Sequence, residues 1–323
     1  MCIRDSYRTN SQSRLLEEAL LRENINYQIY GTTRFYDRVE VKDLVAYLRL
    51  LVNPLDDVAF LRVVNKPARK IGGKSIQTLQ KYAADSSKSL LQTANGLSEV
   101  DPKLFHKLMP FLACLNIAKK NLQSESLGNV LSIILDQIGY LKYIEKKYPN
   151  QFQEKFENIH ELVVALNEFS TANTNAKLED WLQNITLVRG DNHISGYVSL
   201  MTLHMAKGLE FDRVYIMGFE DGLIPHKNSL ESKQQLEEER RLVYVGITRA
   251  RRKLTLTAAY RRLGYQGYVN LPPSRFLAEI PKECIKGLVE EASYGKLDET
   301  QVVDEENGIT RHQSVYHLSL IHI

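Results

Sequence analysis

Cysteine is scarce in this chain of 323 residues, and what there is stands alone: Cys2, Cys114 and Cys284 are odd in number, far apart, and never form a CxxC pair. That pattern speaks against a structural zinc site or a disulfide framework and fits a reducing compartment. Long hydrophobic runs are missing too. No apolar stretch nears the roughly 18 residues of a membrane span, and the N-terminus carries no signal-peptide core, so the expected setting is cytoplasmic. Charge of one sign is also lacking, since 42 Lys and Arg against 39 Asp and Glu leave a net +3. A balance that mild permits nucleic-acid binding without arguing for it, and any such role must come from local patches. No internal repeat is visible. What remains is an ordinary globular composition with room for two domains, or for one domain with a large insertion.

Hydrophobic spacing divides the chain. Tyr7–Arg14 leads into a helix over Leu15–Asn24, with Ser11 or Ser13 as its cap, and Tyr27–Tyr30 reads as a short strand. Val41, Leu44, Val45, Leu48 and Leu51 mark one face of a helix from about Val39, which Asn53-Pro54 ends. After a short helix over Asp56–Val64 comes KPARKIGGKS, in which Arg69, Lys70 and Lys74 surround Gly72 and Gly73, with a helix following over Ile76–Ala84. Glycines between two helices let backbone N–H groups approach a phosphate while the cations supply charge. A plain solvated basic turn is the competing reading. Residues 86–192 are helical, with Phe105, Phe111, Phe156 and Trp181 as core and no catalytic constellation.

Composition then switches. Tyr197–Leu203 and Val214–Phe219 read as strands enclosing the loop HMAKGLEF, and EDGLIPH follows the second. Leu236, Val243, Ile247 and Ala250 put a helical stripe through EEERRLVYVGITRA, and Leu254 and Leu256 alternate with threonines in the strand beyond. This is an α/β pattern, in which ligand groups gather at strand ends. The arginines closing the helix suit a phosphate, or they merely complement the helix dipole. Phe276, Leu277 and Ile280 pack after a Pro-Pro stop, and the chain turns polar and acidic beyond about Glu283.

Six segments in this order resemble the C-terminal half of superfamily 1 DNA helicases of the UvrD/PcrA/Rep type: YRTNSQSRLLEEAL, YQIYGTTRFYDRVEVKDLVAYLRLLVNP, VVNKPARKIGGKS, VSLMTLHMAKGLEFDRVYIMGFEDGLIPH, EEERRLVYVGITRARRKLTLTAA and PSRFLAEIP. They span roughly Tyr7 to Pro281. The resemblance implies an α/β fold, a RecA-like motor domain of the P-loop NTPase type (the second of two copies), interrupted by a large all-helical insertion. Its segments would be residues 7–41 and 194–282, with the insertion at 42–193, a flexible acidic tail at 283–317, and foreign sequence at 1–6 and 318–323.

The resemblance also implies roles. Arg249 is similar to the arginine that reaches the γ-phosphate of ATP, and Glu210, beside Gly208, to the carboxylate on the ATP ribose. Thr202, His204, Lys207 and His226, with Arg8 and Asn10, resemble groups along single-stranded DNA. The segment from Arg69 to Lys74 resembles a hairpin that grips duplex backbone, except that Lys70 stands where the family has glycine. Likewise Gly31-Thr32 replaces a usual Gly-Gly. The chain holds no GxxxxGK[ST] loop and no DExx run in a setting suited to Mg²⁺. ATP and Mg²⁺ are therefore expected to be bound mainly by a first motor domain outside this chain, which would be inactive by itself. The intact protein would unwind DNA 3′→5′ in repair or replication, acting on single strands and on single/double-strand junctions, with repair or replication proteins reached through the tail. The alternative is a non-enzymatic DNA-binding or regulatory protein derived from a helicase.

Overall fold

From its N-terminus the polypeptide forms β1 (Ile3–Tyr7), α1 (Ser13–Arg22) and β2 (Tyr27–Ile29). A helical stretch follows: α2 (Val39–Val52), α3 (Asp57–Val63), α4 (Gly73–Ser86), α5 (Leu90–Asn95), α6 (Pro102–Asn121), α7 (Leu127–Ile138), α8 (Tyr140–Lys147), α9 (Phe152–Ala172) and α10 (Leu178–Leu187). Strands return with β3 (Val198–Thr202) and β4 (Phe211–Met217), then α11 (Lys233–Ile247), β5 (Ala250–Thr257) and the antiparallel pair β6 (Arg261–Gly264) and β7 (Gly267–Asn270). This computed structural model describes residues 3–172, 177–187, 197–259, 261–264, 267–281 and 284–285. Two compact units result: Met1–Thr33 with Asn192–Ile323, and Arg34–Asp191. The first boundary thus falls before the FYDR segment, not after residue 41, because Phe35, Tyr36 and Val41 are buried in the helical core. The expected tail and the C-terminal foreign segment lie outside the described residues, apart from Cys284 and Ile285.

In the first unit a five-stranded sheet runs in the order β2-β3-β1-β4-β5, and every pairing in it is parallel. Residues 3–6, expected to stand outside the fold, form most of its central strand: Ile3 pairs with Val198 on one side and Arg213 on the other. Parallel strands need a crossover, which α1 supplies between β1 and β2 and α11 between β4 and β5. Along β4, Val214 and Ile216 belong to one core with Val243, Leu254 and Leu256, while Met217 packs with Tyr7, Leu16 and Leu200. Successive strand residues point to opposite faces, so the sheet is covered on both, as parallel sheets are. The entry to α1 is sealed by Gln12, whose Oε1 accepts from the N–H groups of Arg8 and Thr9, both at 3.0 Å. Ser13 does not cap the helix; its hydroxyl donates to Glu17 at 2.7 Å from within the first turn.

The second unit is built of helices, with no strand among its described residues. Its α2 is buried well beyond the expected stripe, Ala46, Tyr47 and Leu50 included. Two carboxylates on this helix are buried and compensated: Glu40 accepts from Lys155 (2.9 Å) and Asn158 (2.6 Å), and Asp43 pairs with Arg62 (2.7 Å) and Lys66 (2.9 Å). Uncompensated, either charge would cost several kcal/mol. Tyr140 donates to Asp43 at 3.2 Å, and burial, reinforced by that charge, pushes its phenol well above its usual range.

Within the KPARKIGGKS turn the structure divides the candidate residues. Arg69 points inward: Nη1 donates to the carbonyls of Val63 (3.2 Å), Val64 (3.0 Å) and Pro67 (3.2 Å), Nη2 donates to the Tyr47 hydroxyl (2.8 Å), and the group lies over the Phe111 ring. Its guanidinium staples the turn and is not presented outward. Gly73 opens α4 and Gly72 precedes it, so the glycines stand at a helix start. Lys70 itself occupies the left-handed region at φ 59°. A non-glycine residue there carries about 1–2 kcal/mol of strain. Glycine would remove it while adding about 0.4–1 kcal/mol of unfolded-state entropy. Lys70→Gly is expected to raise the melting temperature slightly, whereas Arg69→Ala should destabilise by about 2–3 kcal/mol through the stranded carbonyls, both read by denaturant melts.

Candidate functional site

Two clusters sit at opposite edges of the parallel sheet. The carboxyl ends of β1, β3 and β4 share one edge, where Tyr7 is paired with Thr202. Arg8 leaves β1 there, His204 opens the turn after β3, and His226 lies in the loop following β4. Arg8 meets Glu239 of α11 in a two-pronged ion pair: Nε donates to Oε1 (3.1 Å) and Oε2 (3.0 Å), and Nη2 to Oε1 (2.6 Å). Glu239 also accepts the backbone N–H of His226 at 3.1 Å and is only 5% exposed. Burial by itself would raise this carboxyl, but the hydrogen bonds and charge of Arg8, with the His226 N–H, hold it below the ordinary carboxylate value. His204 is shifted down by desolvation first and by the Arg8 charge second, with Glu239 opposing, so it is neutral near pH 7.

Around this pair lie the other expected strand contacts. Asn10 begins a single 3-10 turn that ends at Gln12. The Thr202 hydroxyl accepts the Met205 N–H at 3.4 Å, and Lys207 is exposed in the loop between β3 and β4. Gly31 adopts φ +83°, and a Cβ there would come within 2.9 Å of Met205 Cγ. The glycine kept in Gly31-Thr32 is therefore the one that this loop's packing requires.

Arg249, Glu210 and Gly208 sit elsewhere. They precede the amino ends of β5 and β4, where the Phe211 N–H donates to the Arg249 carbonyl at 2.9 Å. The strands separate this corner from Arg8 by roughly 20 Å at about 3.3 Å per residue. The candidate residues therefore stand at two sets of strand ends. Arg249 folds back on its own corner, Nε donating to the Val245 carbonyl (2.9 Å), Nη1 to the Leu209 carbonyl (3.2 Å) and Nη2 to Thr248 Oγ1 (3.0 Å). Glu210 accepts from Arg251 at 3.1 Å with both side chains exposed. Gly208 takes φ +82° with open space where a Cβ would stand, so backbone conformation and not room calls for glycine. In the helical unit Lys70, Gly72, Gly73 and Lys74 are all exposed, the last three at the N-terminal end of α4.

Two residues escaped the sequence reading. Arg251 is one of the arginines closing the helix, and it engages Glu210. Glu239 lies in the EEERR segment, three residues after Leu236 and four before Val243, on the buried stripe. A carboxylate in an apolar stripe requires a partner, and that was the available signal.

The ion pair has a pH signature. Glu239 titrates lower in the folded than in the unfolded chain, so its contribution is present above about pH 4.3 and is lost as pH falls through the folded value. Glu239→Gln should melt below the wild type near neutrality, and the gap should close on acidification. A gap independent of pH would mean that Glu239 is not ionised in the folded chain.

Residues 6–261 match the family model described as the UvrD-like helicase C-terminal domain. The chain is 39% identical over 296 residues to the ATP-dependent DNA helicase PcrA of Bacillus subtilis, covering 88% of this chain and 40% of that protein. It is 38% identical over 318 residues to DNA helicase II of Haemophilus influenzae, with 93% and 44% covered. DNA helicase II of Escherichia coli is 38% identical over 289 residues, with 87% and 40% covered. The chain thus spans less than half the length of these relatives and matches their C-terminal part. The match runs from the last residues of β1 into the first of β6 and so covers the residues of both edge clusters and the helical unit, and on that evidence the chain belongs to the UvrD-like helicase C-terminal domain family.

Proposed function

We infer that this chain is the C-terminal part of an ATP-dependent DNA helicase that moves 3′→5′ along a single strand, with its parallel-sheet unit acting as a RecA-like motor domain and its helical unit as an insertion. The observation that carries this reading is the placement of the motif residues at two edges of one sheet: Arg249 with Glu210 at the amino edge, and Arg8, Asn10, Thr202, His204 and His226 at the carboxyl edge. Lys207 is exposed in the loop from β3 to β4. ATP supplies the phosphoanhydride bond, and the residues that cradle its phosphates and Mg²⁺ belong to another segment, since no phosphate-binding loop occurs among these 323 residues.

The amino-edge residues fit a nucleotide. All three acceptors now held by Arg249 are neutral oxygens. The guanidinium already makes charge-assisted bonds to them, and an anionic phosphate oxygen adds a Coulomb attraction that these neutral oxygens lack, so exchange onto a phosphate is favoured. Its planar, permanently charged fork suits a γ-phosphoryl group as negative charge shifts during transfer. The Glu210–Arg251 pair is exposed and worth about 0–1 kcal/mol, which leaves the carboxylate available to ribose hydroxyls. At the carboxyl edge, Arg8 carries charge while neutral His204 offers a ring and a hydrogen bond, a combination suited to sequence-blind contact with a strand. Lys70 and Lys74, with the backbone of Gly72 and Gly73 at the start of α4, would hold duplex phosphates in the same manner.

In the whole-length protein, Arg249→Ala should lower DNA-stimulated ATP hydrolysis by about 10³-fold or more while leaving DNA affinity nearly unchanged. Undiminished turnover would sink the finger role. Reversing charge at Lys70 and Lys74 to glutamate should weaken duplex binding and reduce the log–log salt slope by about one per lost contact. A change confined to single strands would refute the duplex-grip reading.

A further inference from the structure

Glu239 is placed where a DNA-binding edge would not be expected to hold a negative charge. It neutralises the arginine that faces the strand in the reading above, and it does so from a buried position with every contact directional. Both of its oxygens receive the Arg8 Nε, Oε1 also receives Nη2, and Oε2 also receives the His226 N–H. The partners are 231 residues apart in sequence. One carboxylate therefore ties together three elements: the segment leaving β1, the loop following β4, and helix α11. The guanidinium plane is fixed by this fork, while 21% of the Arg8 side chain stays open to solvent. His204 faces the same two charges from the turn after β3.

We propose that Glu239 is a positioning residue of the strand-binding edge: it fixes the Arg8 guanidinium and the His226 loop in one preformed surface that takes the phosphate backbone of a single strand. This rests on the helicase reading given above. A preformed donor array binds without ordering its own side chains, which are among the costs of association. A loose arginine would carry more unneutralised charge but would have to be immobilised at each contact. Glu239 also lies on α11, whose last residue, Ile247, stands roughly 12 Å further along at 1.5 Å per residue and two residues before Arg249. A shift of α11 at the nucleotide-facing corner would therefore move the carboxylate that holds the strand-facing arginine.

The sign of one substitution separates positioning from plain electrostatics. Glu239→Gln adds one net positive charge to the edge, so a carboxylate that acts only through its charge would, once removed, leave the 323-residue chain binding a fluorescent oligo-dT more tightly, with a steeper salt slope. If Glu239 positions Arg8, the same variant binds about tenfold more weakly, the worth of a mis-set charge-assisted bond. Adding Glu239→Gln to Arg8→Ala should then cost nothing further. Arg8→Lys keeps the charge and loses the fork, and it should weaken binding by a similar factor even if the glutamine variant fails to fold. Unchanged or tighter binding by Glu239→Gln, or wild-type affinity in Arg8→Lys, overturns the proposal while leaving the DNA reading intact. Equal oligo-dT affinity in wild type and Arg8→Ala removes the DNA reading, and the proposal with it. An NMR titration of His204 reports the cluster without DNA: its pKa should fall further in Glu239→Gln, because the carboxylate opposes the downward shift, and an unmoved value would also count against the arrangement.

Discussion

Everything in the first unit depends on β1 being held on both sides by parallel partners. A strand in that position has its backbone groups satisfied only if the chain supplies two neighbours running in the same direction, and here β3 and β4 both come from the far side of the helical unit. Parallel neighbours cannot be joined by a tight turn. The long excursion through residues 34–191 is thus compatible with the sheet because a crossover of some length was required, and the helical unit closes a core of its own within it.

The same parallelism separates the chemistry. All strands of this sheet start at one edge and finish at the other, so residues before strands and residues after strands form two clusters with the length of the strands between them. Arg249 and Glu210 belong to the first kind, Arg8, His204 and His226 to the second. Helix α11 is the element common to both, carrying Glu239 in its body and delivering Arg249 at its end. The helix packs on β4 and β5 through Val243, Leu254 and Leu256, so one packed element spans the distance between the two edges.

In the helical unit, polar groups are buried to determine geometry. Asp43 and Glu40 on α2 are each held by cations and hydrogen bonds from other helices, and Arg69 is held by three carbonyls and a hydroxyl. Such groups lower stability if any partner is lost, and so they fix which helix faces lie together. With Arg69 anchoring the turn, Lys70 is left outward in a strained conformation next to two exposed glycines, where charge and unshielded backbone coincide.

Periodicity and breakers alone located α1, β2, α2, α3 and α4, the helical character of the stretch holding α5 to α10, the strands β3 and β4, and the helix–strand pair around Arg249, because apolar spacing and Asn-Pro or Gly signals act locally. They missed β1, since a central parallel strand ordinarily reads as an apolar run and Ile3-Arg4-Asp5-Ser6-Tyr7 does not. They also missed the β6–β7 pair, which is short. For the site, the residue types and their motif spacing were readable, including the glycine exchanged for Lys70. Which edge each residue occupies was not, because strand order in a sheet is a long-range property. Nor was the inward turn of Arg69, or the pairing of Arg8 with Glu239. Local chemistry in the sequence determined which groups this protein possesses. Only the tertiary structure decided which charges are neutralised, since an ion pair forms where distant segments are brought to about 3 Å, and no spacing within either segment encodes that distance.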